Sequence, residues 1–198
     1  MRQDGYKATD DDRRLALACA RGDVEAWKTL IEHMQVPIAH LVTRLLGPQE
    51  VEDVTQEVFL RAFRAMPAFR GDCRLSTWIS RIALNLCRDR ARRNSRRPAL
   101  FSLDEPLLTE DGEVRWQLAD AQPAPDEQIQ HIELEDRVAE ALAMLPDIHR
   151  SVLVLHDMQG LRYEEVAQIL GCSLGTVKSR IFYARRKLAR ILEDYMVC

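Results

Sequence analysis

Nothing in this 198-residue chain approaches the ~18 consecutive apolar residues that a membrane span needs, so no membrane insertion is expected. The opening stretch, MRQDGYKATDDDRR, lacks the apolar core of a signal peptide, and the expected localisation is cytoplasmic. Cysteine is sparse and scattered: Cys19, Cys73, Cys87, Cys172 and Cys198 form no CxxC, CxxxH or HxxxCxxC pair. Neither a disulfide framework nor a zinc site is therefore indicated. The five histidines are equally dispersed, so the expected cofactor is none and the expected metal site none. A phosphate-binding glycine loop and a nucleophile–base pair are missing too, which removes the common signatures of an enzyme and of a small-molecule substrate. Alternation of apolar and polar residues, the mark of a half-buried strand, is also lacking.

What remains is helical. With 46% hydrophobic and 30% charged residues, the chain can bury a core. Asp23 is placed to cap a helix with the apolar stripe Trp27, Leu30, Ile31 and Met34. The pattern resumes after Pro37 as Ile38, Leu41, Val42 and Leu45, and stops at Gly47-Pro48. A third helix from about Glu50 to Met66 carries Val51, Val54, Val58 and Ala62. After the loop AFRGDCR, a fourth aligns Leu75, Trp78, Ile79, Ile82 and Leu86. Residues 98–126 hold four prolines, many acids and no period, the composition of an extended linker. Helical period returns with Ile132, Leu134, Val138, Ala139, Leu142 and Leu145, is broken at Pro146, and continues to the end. The expected architecture is all-α: two small helical domains, 1–97 and 127–198, joined by a flexible acidic linker, 98–126.

Charge is strongly segregated, although the net is only −3. Residues 61–97 hold eleven arginines against two aspartates. Residues 104–127 hold eight acids against Arg115, and residues 178–190 hold six cations and no acid. Two basic blocks at helical spacing suggest two surfaces for a polyanion.

The second basic block has a recognisable context. YEEVAQIL reads as a short helix, GCS as a turn whose glycine suits positive φ, and Ser173 as the N-cap of the next helix. Helix, glycine turn, helix is the helix-turn-helix pattern, here over 163–188, whose second helix enters the major groove. At ~100° per residue, Leu174, Val177, Ile181, Ala184 and Leu188 share one direction and are expected to be buried. Gly175, Ser179, Phe182, Arg186 and Arg190 lie opposite, flanked by Lys178, Tyr183 and Arg185. Long cations and hydroxyls on an outward face can bond base edges and phosphates. An ordinary surface helix of a small bundle is the competing reading.

In the first unit, the outward face of the third helix mixes Asp53, Gln56, Glu57, Leu60 and Arg64. An exposed aliphatic residue among polar groups suits a protein contact; the alternative is that Leu60 covers the core edge. On the fourth helix Arg81, Asn85, Arg88 and Arg92 lie off the apolar stripe, where an amide can pair with a base edge and guanidinium groups can hold phosphates. The loop before it, Phe69, Arg70, Gly71, Asp72, Cys73 and Arg74, has the size to hold an unstacked base.

The segments DVTQEVFLRAFRAMPAFRGDCRLSTWISRIALNLCRDRARR and LPDIHRSVLVLHDMQGLRYEEVAQILGCSLGTVKSRIFYARRKL, in that order, resemble the extracytoplasmic-function (group IV) sigma factors of bacterial RNA polymerase, sigma-E-like branch. The resemblance spans about residues 10–97 and 127–193. It implies a transcription initiation factor, not an enzyme, that binds polymerase core and both promoter elements and promotes DNA melting. Asp53, Gln56, Glu57, Leu60 and Arg64 would meet the β′ clamp helices, with the β subunit a further partner. Phe69, Arg70, Gly71, Asp72, Arg74 and Asn85 would take a flipped base of the −10 element, while Arg81, Arg88 and Arg92 hold the backbone. Ser173, Gly175, Thr176, Lys178, Ser179, Arg180, Phe182, Tyr183, Arg185 and Arg186 would contact the −35 duplex. Many relatives are controlled by an anti-sigma factor, and the resemblance implies such a partner here.

Two rivals compete with this reading. A two-domain repressor or activator would bind a palindrome alone as a dimer; the arginine-rich fourth helix and the mixed face around Leu60 argue against it. A protein-binding adaptor or anti-sigma factor would fit the helices, but lacks support from an HxxxCxxC motif or a membrane span.

Overall fold

The computed structural model describes residues 7–96 and 137–196, with side chains to 94 and from 137 to 193. The proposed linker, the apolar residues Ile132 and Leu134, and the end of the C-terminal tail lie outside the described residues. The described residues form helices and turns without a strand: α1 (Asp10–Ala20), α2 (Val24–Leu46), α3 (Val51–Ala65), α4 (Leu75–Arg96), α5 (137–143), α6 (Asp147–Leu153), α7 (Tyr163–Leu170) and α8 (Leu174–Met196). No described helix is long and apolar enough to cross a membrane.

Local chemistry sets most boundaries. Thr9 caps α1: its hydroxyl accepts from the Asp12 N–H at 3.0 Å, and its own N–H donates to the Asp12 carboxylate at 2.9 Å. Asp23 caps α2, one carboxylate oxygen accepting from the N–H groups of Glu25 and Ala26 at 3.0 and 3.1 Å. Asp23→Ala is expected to cost about 1 kcal/mol by orphaning those donors. A lowered urea midpoint at unchanged slope would show it, and an unchanged midpoint would mean that the cap contributes nothing.

Helix α2 departs from expectation. The break at Pro37 does not occur; α2 runs unbroken through it to Leu46. A proline inside a helix costs about 3 kcal/mol, but both halves carry one buried stripe: Trp27, Leu30, Met34, Ile38, Leu41, Val42 and Leu45. Burying seven such side chains outweighs the local penalty, at roughly 1.5–3 kcal/mol each. Ile31, expected on that stripe, is 36% exposed instead, because the stripe follows the neighbouring positions Leu30 and Met34.

Helices α2, α3 and α4 pack on one another around Leu41, Val42, Val54, Val58, Ala62, Ile79 and Leu84. In the second unit α6 packs along α8, and α7 packs on α8 and the turn after α6, around Leu142, Leu145, Val152, Leu155, Val166, Val177 and Ile181. Between α6 and α7 the chain passes through a π-helical turn, Val154–Met158. The two apolar groups merge into one core, because α7 lies against α4 and the π-turn against α2. Gln159 spans the seam, its side-chain amide donating to the Pro37 carbonyl at 2.7 Å.

Candidate nucleic-acid interface

The turn between α7 and α8 has the geometry its residues imply. Gly171 ends α7 at φ +64, left-handed backbone that a Cβ would strain. Ser173 then caps α8, its hydroxyl accepting from the Thr176 N–H at 3.1 Å and lying 2.8 Å from the Thr176 hydroxyl. Val177, Ile181 and Ala184 are buried and pin α8 to the core. Leu174, expected with them, is 37% exposed: it stands at the first position of α8, before the helix has reached the packed face. Gly175, Lys178, Ser179, Phe182, Tyr183, Arg185 and Arg186 are all exposed.

The cations on this face are held in three ways. Arg185 clamps Asp157 of the π-turn through two guanidinium nitrogens, and that bond raises its affinity for its proton. Arg186 lies 5.7 Å from the centre of the Phe182 ring, a cation–π placement that stiffens both exposed side chains. Arg180 is turned toward α4 and approaches the Cys172 sulfur at 3.7 Å. Lys187 and His149, neither of them among the expected residues, join Tyr183, Arg186 and Arg190 in lining an open groove of about 540 Å³. The six-cation run over 178–190 was the available signal for Lys187. His149 comes from α6, and no spacing rule reaches across to it.

In the first unit, Asp53, Gln56, Leu60 and Arg64 are exposed on one face of α3 and Glu57 is half-buried beside them. Leu60 is 50% and Phe63 56% exposed, and Phe63 leans on Trp27 with ring centres 5.1 Å apart. Phe63 escaped the residue pattern because its spacing from Leu60 also fits a core position. Glu57 accepts a 2.7 Å bond from Arg61, which holds its carboxyl below the usual carboxylate range. Asp53 lies 3.6 Å from Arg90 of α4, and Arg90 donates at 2.7 Å to Glu50, so this face is braced from α4.

The loop before α4 is held by contacts at several of its residues. Phe69 packs on Trp78 with ring centres 5.3 Å apart, so Trp78 is committed to packing. Arg70 donates through two nitrogens to Asp72, at 3.0 and 2.8 Å, and both side chains remain exposed. Gly71 sits at φ +74, and Cys73 is buried, its thiol pushed up chiefly by that burial. On α4 itself, burial drives the Cys87 thiol up to about 12, so it stays protonated and serves as packing.

The α4 residues divide into two groups. Asn85 and Arg92 are exposed, Arg92 pairing with Asp89 at 2.5 Å. Arg81 and Arg88 instead face the second unit. Arg81 donates to the main-chain carbonyl of Gln168 in α7. Arg88 is half-buried opposite Arg180; burial first and that second cation next lower its affinity for its proton. Thus two residues expected on a DNA surface lie at the seam instead, Arg81 bonded to α7 and Arg88 beside Asp147 and Arg150 of α6.

A family description, Sigma-70 region 2, matches residues 30–97, and another, Sigma-70 region 4, matches residues 135–188. The chain is 34% identical over 188 residues to the ECF RNA polymerase sigma-E factor of Haemophilus influenzae, covering 93% of this chain and 97% of that one. Among solved structures, CnrH in complex with the cytosolic domain of CnrY aligns with a TM-score of 0.68 at 28% identity, covering 93% of this chain and 99% of CnrH. The sigma factor RpoE of Bartonella quintana, solved with the anti-sigma factor NepR, shares the fold at TM-score 0.63 and 22% identity, over 86% of this chain and 98% of that one.

Proposed function

The chain belongs to the extracytoplasmic-function sigma factors of the sigma-70 family, and from that premise we propose that it directs RNA polymerase core to promoters by holding two DNA elements at once. In this reading the chain is not an enzyme, and binding energy does the work. The face of α3 around Leu60 and Phe63 docks on the core. The loop Phe69–Arg74 and Asn85 take up an unstacked −10 base, which offsets a few kcal/mol of unstacking per step. The outward face of α8 grips the −35 duplex through Lys178, Ser179, Phe182, Tyr183 and Arg186.

One observation carries this reading: an exposed apolar patch at Leu60 and Phe63 and two separate cation-rich helices, α4 and α8, stand on one chain. The seam adds a requirement. For Arg81 and Arg88 to reach phosphates, α7 must move off α4, which breaks the Arg81 bond to the Gln168 carbonyl. Docking on the core then fixes the spacing of the two units, and the second DNA contact becomes intramolecular. The relative CnrH is seen bound to the cytosolic domain of CnrY, which supports control of this chain by a comparable anti-sigma partner.

Run-off transcription tests the proposal. Core polymerase plus this chain is expected to yield a transcript from a promoter that core alone ignores. A chain that binds a palindrome tightly by itself, and adds nothing to core, would overturn it.

A further inference from the structure

The loop Phe69–Arg74 is fixed from a part of the chain outside the matched region 2, which begins at residue 30. The N–H of Ala8, the residue before the α1 cap, donates to the Gly71 carbonyl at 3.2 Å. A Cβ added to Gly71 would lie 3.3 Å from Arg13 Nε and 3.4 Å from the Ala8 Cβ, so the first turn of α1 sits directly over that glycine. Ala8 and Cys73 are both 7% exposed, and the charge of Asp12 reaches the Cys73 thiol. The reciprocal Thr9–Asp12 bonds hold that turn rigid. The loop is thus pinned at Phe69 by Trp78, at Gly71 by Ala8, and at Cys73 by burial. Arg70 and Asp72, joined to each other, are left as its exposed chemistry.

We propose that Ala8–Arg13 is a positioning element for the promoter-reading loop, setting how selectively Arg70 and Asp72 accept an unstacked base of the −10 strand. This rests on the reading of that loop as the −10 site. The physical reason is preorganisation. A loop held by one main-chain bond and one buried thiol presents a fixed set of donors and acceptors, whereas a freed loop accommodates several bases at similar cost. The turn acts through the loop and touches no base.

The test uses the full chain with polymerase core and single-stranded −10 oligonucleotides that differ at one base. Ala8→Pro removes the donor at a non-helical position and leaves the Thr9 cap in place. Discrimination between preferred and substituted base is expected to fall about five- to tenfold, the factor that one lost hydrogen bond typically carries. Core affinity and −35 duplex binding should be unchanged, and the unfolding free energy should fall by no more than the ~1 kcal/mol of one hydrogen bond, the equivalent of that factor. Ala8→Ser, which keeps the N–H, should retain full discrimination. If Ala8→Pro discriminates like the wild type while Arg70→Ala does not, the positioning role is wrong and the −10 reading stands. If core affinity falls along with discrimination, the turn merely supports the fold and the proposal fails. If Arg70→Ala and Asp72→Ala both leave discrimination intact, the reading of the loop itself fails, and this inference with it.

Discussion

Leu60→Asp is expected to abolish promoter-directed transcription while leaving the protein folded. Leu60 is half exposed on α3, next to the equally exposed Phe63, with Asp53, Gln56 and Arg64 around them. An apolar centre with a polar rim is the anatomy of an interaction surface, where truncating one central anchor costs 2 kcal/mol or more. A carboxylate placed at that centre must also be desolvated on docking. Affinity for polymerase core should therefore fall by at least about 30-fold, the equivalent of ~2 kcal/mol. The fold should not register the change, because the residue stands largely in water in the free chain. Titrating labelled protein with core, alongside a thermal melt, separates the two effects. Equal core affinity for variant and wild type would remove this face of α3 from the polymerase contact.

Leu84→Ala is expected to produce the largest loss of stability among simple truncations of α4. Leu84 is fully buried, with Leu45 and Cys87 on its own side and Asp147, Arg150 and Ser151 across the seam. Removing its three outer carbons leaves a cavity that packed helices on both sides cannot readily close. Such changes cost about 2–5 kcal/mol, a large share of the ~5–15 kcal/mol total of an ordinary domain. At roughly 2–4 °C per kcal/mol for a chain of this size, the melting midpoint should drop by about 10 °C. Leu17, 54% exposed on α1, provides the contrast: Leu17→Ala should stay within about 0.5 kcal/mol. If the two variants melt together, the packing around Leu84 is not as described.

The two variants also probe different levels of legibility. The helix-turn-helix could be read residue by residue, because its signals are local. Gly171 supplies the left-handed turn, Ser173 the cap, and the period of Val177, Ile181 and Ala184 the buried side. The exposure of Leu60 followed from the same angular bookkeeping on α3. Helix α1 carries a weak signal, because its apolar positions Leu15, Ala16 and Cys19 are few and stand among charges. The break expected at Pro37 was a local rule overruled by burial along α2. Ile31 and Leu174 were misplaced because the angle of a residue fixes its direction, while exposure depends on what packs there.

By itself, the sequence determined the all-α class, the helix-turn-helix, the outward cations of α8 and the mixed face of α3, since each depends on residues within a few turns of one another. Only the tertiary structure decided which expected DNA contacts stand free. Arg81 meets Gln168, 87 positions away, because α7 lies against α4, and Arg88 lies beside Asp147 and Arg150 of α6. It also decided that the loop Phe69–Arg74 rests on Ala8, more than sixty residues before it. The physical reason is the same in each case. Helical period and caps are short-range energies written into neighbouring residues, whereas the seam and the loop anchor arise from the burial of surfaces that meet only when the chain has folded.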